Sequence, residues 1–439
     1  MKRVKRVNVG LIGFGTIGAG VAKVLLENQQ VISERLGAEL KLKKIADLDI
    51  TTDRGVAIPE GILTTDVNEL IGNPEIDIII ELIGGYEPAR TFVSRALKSQ
   101  QSVVTANKAL LAKHGNELFA LARKNQVDFY YEASVGGGIP IIKVMREALA
   151  GNQINSVCGI LNGTCNYILT KMGDEGADFA QVLKTAQDLG YAEADPTFDI
   201  EGIDTAHKLA ILTSLAFATP IDFDKIHVEG ISAIKAADFA FAREFGYKIK
   251  LLAIAKKADN LIETRVHPTM IPENHMLAKI DDVFNAVFVN ADALGPSLYY
   301  GQGAGMMATA SAVVGDLVDI ARNLIDNSLQ RIPDLGFQDS AIKTQKYRPM
   351  SEIISQYYLR FSAHDKTSVL SRIAGILGEN GISIASVIQQ GRSQNGDTVP
   401  IVMQTHKAKE KDLRAALTEI DKLPIIAAAT AVIRMESDL

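Results

Sequence analysis

The chain has 439 residues, 47% of them apolar, and a formal net charge of −6 with a pI near 5.8. That length allows two or three domains, and the mildly acidic balance argues against nucleic acid as the main partner. The basic start, MKRVKRV, leads straight into a strand pattern with no apolar signal region, and stretches such as LAILTSLAFA are too short to span a bilayer. With only Cys158 and Cys165, there is neither a disulfide framework nor a metal-ligand cluster, so a cytoplasmic protein without membrane or nucleic-acid partners is expected.

The first segment reads strand, glycine turn, helix, strand. Val7, Val9 and Leu11 alternate, then Gly13-Phe14-Gly15-Thr16-Ile17-Gly18 opens a helical pattern through Val21, Val24 and Leu25. Gly13 permits the sharp turn, Gly15 lets backbone approach a pyrophosphate, and Gly18 allows close helix–strand packing. The spacing in this context predicts a dinucleotide site at a helix N-terminus. The next strand, LKLKKIAD, ends in Asp47, placed for the adenosine ribose hydroxyls after an insertion, ISERLGAEL. An acid there favours NAD over NADP, while nearby Arg54 leaves a 2′-phosphate open.

Two further strands, EIDIIIELIGG and QSVVTANKALLA, follow; the second ends in Thr105, Ala106, Asn107 and Lys108. Ligands bind beyond the carboxyl ends of parallel strands, so Thr105 and Lys108 are candidates for cofactor and substrate contact. VDFYYEASVGGGIPII reads as another strand ending in three glycines, which suit an ion, a ligand or a plain turn. From about residue 150 the pattern changes to an α+β domain, with the polar turn Asn162-Gly163-Thr164 and strands such as YKIKLLAIAKKA and IETRVHPTMI. Within it, GYAEADPTFDIEGIDTAHK gathers Glu193, Asp195, Asp199, Glu201 and Asp204 near Lys208. Asp204 and Lys208 share a helix face one turn apart, and the apolar run after Lys208 carries that helix into a core. Carboxylates around one lysine beside a hydride-carrying cofactor suit alcohol–carbonyl redox chemistry; the alternative is a plain ion pair.

A turn from Gly301 to Gly305 opens a long apolar helix near 306–325, and Gly303 there either returns to the cofactor or serves close packing. Residues 328–351 read as a polar linker. Beyond it the order βαββαβ predicts a ferredoxin-like module, too poor in reactive groups to be the catalyst. The expected division is 1–150 dinucleotide-binding, 151–327 substrate-binding and dimerisation, and 352–439 regulatory.

The motifs GFGTIGAGV, ELIGG, VTANKALLA, YEASVGGGIPII, GILNGTCNYIL and GYAEADPTFDIEGIDTAHKLAIL occur in order and spacing that resemble homoserine dehydrogenase with a C-terminal ACT domain, over essentially the whole chain. The resemblance implies an α/β fold: a Rossmann-type domain, an α+β catalytic and dimerisation domain, and an ACT domain. It implies NAD(P)-dependent interconversion of L-homoserine and L-aspartate 4-semialdehyde. Residue by residue, it makes Lys208 the proton donor and acceptor, and Asp204 the acid that positions substrate and lysine. Glu193 becomes the substrate holder, Lys108 a lysine near nicotinamide and substrate, and Thr164 and Asp199 further substrate contacts. It maps a monovalent cation site, Na+ or K+, onto Glu132, Val135, Gly137 and Ile139, largely through carbonyl oxygens, and implies a homodimer or homotetramer.

A lysine serves as base only in its neutral form, which burial and a second cation such as Lys108 favour and Asp204 opposes. At the first turn of the ACT segment, Asp365-Lys366-Thr367-Ser368-Val369-Leu370, Ser368 stands where family members often have glycine. L-threonine feedback and a purely assembly role therefore both remain open. Two other readings stand beside this one: a semialdehyde dehydrogenase with Cys165 as nucleophile, and a non-catalytic sensor of NAD and an amino acid.

Overall fold

The computed structural model describes residues 6–389 and 398–437, so the basic residues of MKRVKRV before Arg6 and the end of the ISIASVIQQGR pattern lie outside the described residues. The chain groups into two compact units: residues 1–157, 206–224 and 285–345, and residues 158–205, 225–284 and 346–439.

In the first unit, strands β1 (Arg6–Ile12), β2 (Glu39–Ala46), β3 (Leu63–Thr64), β4 (Ile78–Glu81), β5 (Ser102–Thr105) and β6 (Phe129–Tyr130) form a parallel sheet in the order β3-β2-β1-β4-β5-β6. Helices α1 (Thr16–Glu27), α2 (Gln29–Leu36), α3 (Ala89–Lys98) and α4 (Lys108–Asn125) connect them. The insertion after α1 forms α2, which ends at Gly37 in the left-handed conformation. The strand expected through Ser134 is shorter, because Glu132–Ser134 winds into a 3₁₀ turn with Ser134 N donating to Tyr131 O. Sheet residues Val9, Leu11, Ile78 and Ile80 pack with Val21 and Leu25 of α1 and with Val313, Leu317 and Ile320 of a later helix.

After α5 (Ile141–Lys143) and β7 (Ile154–Ile160) come α6 (Gly163–Glu175), α7 (Phe179–Asp188), α8 (Thr197–Ile200) and α9 (Ile203–Phe217). Ala206, Leu209, Ala210, Ile211, Leu212 and Leu215 are all buried, so α9 is a core helix with little solvated face. Its Thr213 and Ser214 hydroxyls donate to carbonyls four residues back, which satisfies them inside the core. Then follow β8 (His227–Val228), α10 (Ala236–Glu244), β9 (Tyr247–Ala258), β10 (Leu261–Pro272), β11 (Phe284–Ala291), β12 (Gly295–Gln302) and the long α11 (Met306–Ile325).

The ACT segment runs β13 (Ile354–His364), α12 (Val369–Glu379), β14 (Ile384–Gln389), β15 (Thr398–Thr405), the two-residue β16 (Ala408–Lys409), α13 (Glu410–Ile420) and β17 (Ile426–Met435). Leu413, Ala416, Leu417 and Ile420 form one apolar stripe of α13 and pack with Tyr357, Leu359 and Phe361 of β13 and Ile373 and Leu377 of α12. Within the second unit the strands run β9-β10-β17-β13-β15-β14. The closing strand β17 therefore has two partners, antiparallel β13 and parallel β10, so the ACT sheet continues into the β9–β10 hairpin. Among the described residues no helix is long and apolar enough to cross a membrane.

Candidate active site

At the dinucleotide end, Gly13 has φ +99°, and an added Cβ on Gly18 would fall 2.0 Å from Gly13 O, so the turn and the helix start lock together only with glycine at both places. Gly15 has open space around it and precedes the N-terminus of α1. Asp47 lies just past β2; its carboxylate accepts from Phe14 N at 2.5 Å and from Asp49 N at 2.9 Å. Arg54 pairs with Asp49 at 3.1 Å. The glycine loop, its acid and the free start of α1 thus form a cradle whose donors and anion match a dinucleotide's phosphates and ribose.

Beside it, β4 ends in Glu81, an acid that sequence reading passed over. It is fully buried, accepts from Thr105 Oγ1 at 2.6 Å and from Ile83 N and Gly84 N at 2.9 and 3.2 Å, and burial raises its carboxyl above the usual range. Thr105 is wholly buried with its hydroxyl given to Glu81. Asn107 donates to Gly85 O at 2.7 Å and caps α4 by accepting Leu110 N, so Lys108 is the first, half-buried residue of that helix. The ELIGG motif held the signal for Glu81: a lone acid in an otherwise apolar strand, at the end where ligands bind.

Gly136 and Gly137 both have positive φ, and Gly137 lies against Gly303, where an added Cβ would meet Gly303 O at 2.5 Å. Asn285, 1% exposed, packs its amide on Gly303. Glu132, Val135, Gly137 and Ile139 are all buried. The Glu132 carboxylate accepts from Ile142 N and Lys143 N at 2.9 and 2.8 Å, and its N–H donates to Asp316 at 2.8 Å. Burial pushes Glu132 up to about 7 and Asp316 well above the ordinary carboxylate range, where the Glu132 charge adds to the effect. Among the described residues, no group of three or more His, Cys, Asp or Glu forms a metal cluster.

The second unit holds the acids. Asp204, 3% exposed, and Asp199 both accept from Asn162 Nδ2, at 2.9 and 2.8 Å. Thr164, in the first turn of α6, donates to Tyr191 O at 2.6 Å. Glu193 is exposed on the loop before α8, and its main-chain carbonyl accepts from Gln187. Lys208 sits one turn after Asp204 on α9 and is 8% exposed. The geometry therefore joins Asp199 and Asp204 through Asn162, and sets Glu193 on its own loop.

The homoserine dehydrogenase family model matches residues 140–318, the family's NAD-binding domain 13–132, and the ACT domain 357–425. The homoserine dehydrogenase of Neisseria gonorrhoeae is 47% identical over 434 residues, covering 99% of each chain. The chain belongs to the homoserine dehydrogenase family. A crystal structure of a homoserine dehydrogenase from Thiobacillus denitrificans matches with a TM-score of 0.93 at 46% identity, covering 100% of both chains. A hyperthermophilic archaeal homoserine dehydrogenase in complex with NADPH covers 72% of this chain and 97% of its own, at 27% identity and a TM-score of 0.61. The protein is accordingly an NAD(P)-dependent homoserine dehydrogenase with an ACT domain.

This homoserine dehydrogenase does not use a cysteine nucleophile. Burial pushes the Cys158 thiol up to about 11, and Cys165 is fully buried with its Sγ donating to Asp199 O at 3.1 Å. The sensor reading falls with the family assignment.

Proposed function

We propose that Lys208 moves the proton at the C4 oxygen as L-homoserine and L-aspartate 4-semialdehyde interconvert. The observation that carries this is its place on α9: a nearly buried lysine one turn from a nearly buried acid, Asp204, on a helix otherwise committed to the core. The dinucleotide, when bound, supplies the hydride acceptor or donor. Lys208 takes the hydroxyl proton during oxidation and returns it during reduction. Asp204 orients the lysine and, with Asp199 and Glu193, provides anionic partners for the substrate ammonium. Thr164 offers a hydroxyl and Lys108 polarises the reacting oxygen.

Asp47 favours NAD over NADP, since a 2′-phosphate would meet its charge; Arg54 is held by Asp49 rather than left for that phosphate. Carbonyls of Glu132, Val135, Gly137 and Ile139 hold Na+ or K+. L-Threonine is the effector of the ACT domain, bound at the Asp365–Leu370 turn, and the working enzyme is a homodimer or homotetramer.

Initial rates with L-homoserine at alkaline pH, comparing NAD with NADP and with or without L-threonine, test these assignments together. Preferential turnover with NADP would overturn the role given to Asp47. Calorimetry showing no heat with millimolar L-threonine, and no inhibition, would remove the effector. Lys208→Ala should lower kcat roughly 100-fold or more. A kcat and pH profile near wild type would exclude Lys208 as the proton carrier.

A further inference from the structure

We infer that Asn162 is the positioning residue that fixes the two substrate acids, Asp199 and Asp204, in one geometry; the inference rests on the substrate-binding role proposed for them. Asn162 sits at the N-cap of α6 with an extended backbone, and its Oδ1 accepts Cys165 N at 2.8 Å. That bond leaves its orientation no freedom. The helix N–H needs an acceptor, so the amide nitrogen must face the other way. There it gives one hydrogen to Asp199 Oδ1 at 2.8 Å and the other to Asp204 Oδ2 at 2.9 Å, and the residue is 6% exposed.

Every hydrogen-bonding direction used here is matched to one side chain. Aspartate would cap α6 equally well but would bring a third negative charge to two carboxylates. Serine would cap it with a hydroxyl that has a single hydrogen. Only a primary amide at this reach offers one acceptor to the helix and two donors to the acids. The two acids come from different elements, α8 and the first turn of α9, and like charges so close repel. The neutral amide of Asn162 bridges them without adding charge. Because α9 also carries Lys208, the amide sets the acid that stands one turn before the proposed proton carrier.

The test is steady-state kinetics on the full-length enzyme with Asn162→Ser and Asn162→Asp. Both retain a good helix cap, so a purely structural role predicts thermal midpoints, dinucleotide KM and homoserine KM near wild type. A positioning role predicts that homoserine KM rises roughly tenfold or more in Asn162→Ser, the loss of a charge-assisted hydrogen bond, with dinucleotide KM unchanged. In Asn162→Asp the rise should be larger at alkaline pH and partly relieved as pH falls, because a proton shared among three carboxyl groups restores a donor. If the serine variant fails to fold, the aspartate variant alone decides through its pH profile.

Homoserine KM within twofold of wild type in both variants, with an unaltered pH profile, would overturn the inference. So would parallel losses in midpoint, dinucleotide KM and homoserine KM. Asp199→Asn and Asp204→Asn separate the two layers. If neither alters homoserine KM, the acid assignment and the inference fall together. If both raise it and the Asn162 variants do not, the inference alone falls.

Discussion

Arg434 holds Glu229 by two hydrogen bonds, Nη1 to Oε2 at 2.7 Å and Nη2 to Oε1 at 2.9 Å, and the same guanidinium takes both oxygens of Glu410. Arg434 belongs to the closing ACT strand and Glu229 directly follows β8. The next residue, Gly230, approaches Glu201 too closely for any side chain, and Ile231 N donates to Ile200 O at 2.8 Å. A continuous run of hydrogen bonds and backbone therefore leads from the last strand to α8, which carries Asp199.

Replacing Arg434 should be expensive. The side chain is 1% exposed, and Arg434→Met would remove the buried cation shared by Glu229 and Glu410, leaving them the half-exposed Arg414 and, for Glu229, His227. Breaking a buried pair in this way costs about 3–5 kcal/mol. Chemical denaturation is the direct measurement, and a loss under about 1 kcal/mol would show that water replaces the arginine freely. Homoserine KM in a folded variant such as Arg434→Lys reports whether the path to α8 is felt at the substrate acids.

Acid stability should show the neighbouring ion pair. Although burial works against it, the charges of Arg265 and Lys256 hold the Glu436 carboxyl down at about 2, from an ordinary 4.5. A folded pKa below the unfolded one gives stability that is complete above about pH 4.5 and disappears as pH falls toward 2. For this nearly buried group the contribution is on the order of 3 kcal/mol. Glu436→Gln should be less stable at pH 7 and lose less between pH 4.5 and 2. Parallel pH–stability curves for the two proteins would rule this out.

The glycine loop separates folding from binding. Gly18→Ala sets a methyl 2.0 Å from Gly13 O, so the fold itself must shift and the thermal midpoint should drop. Gly15→Ala meets nothing within 4 Å. It should leave the midpoint close to wild type and raise the KM for dinucleotide, because the lost space is needed for the approach of the pyrophosphate. An unchanged dinucleotide KM in Gly15→Ala would place the phosphates elsewhere.

What the sequence made legible was local. The β1–glycine–α1 unit follows from alternation, spacing and turn chemistry within about two dozen residues, and the βαββαβ order follows from periodicity alone. The partner of β17 was not legible, because pairing with β10 joins residues 269 and 434, and nothing in either strand names the other. The same applies to the bridge at Asn162, where Asn162-Gly163-Thr164 read as a turn. Its function depends on Asp199 and Asp204, some forty residues later, reaching one amide. Glu81 was hidden differently: an acid at a strand end looks like a boundary until its hydroxyl and amide donors are in view.

Ser368 refines the reading of the ACT turn. Standing where family members often have glycine, it adopts the left-handed conformation that favours glycine, with φ 68° and ψ 4°. Holding a non-glycine residue there costs roughly 1 kcal/mol. Ser368→Gly should recover about that much in denaturant unfolding, less the added freedom of the unfolded chain. A destabilised variant would mean that the serine hydroxyl makes a compensating contact. Calorimetry on the same variant, with L-threonine, would show whether the turn's chemistry sets effector affinity.

The shared strand β17 bears on how such enzymes are taken apart and recombined. An ACT module that lends its final strand to the β9–β10 hairpin is not a detachable accessory. Cutting the chain after residue 351 would bare β10 at Thr269 and Met270, leave Arg265 and Lys256 without Glu436, and open a short strand edge to intermolecular pairing. Chimeras that graft a foreign sensor onto this scaffold therefore have to preserve β17, or supply a strand with an arginine and an acid two residues apart in the same register.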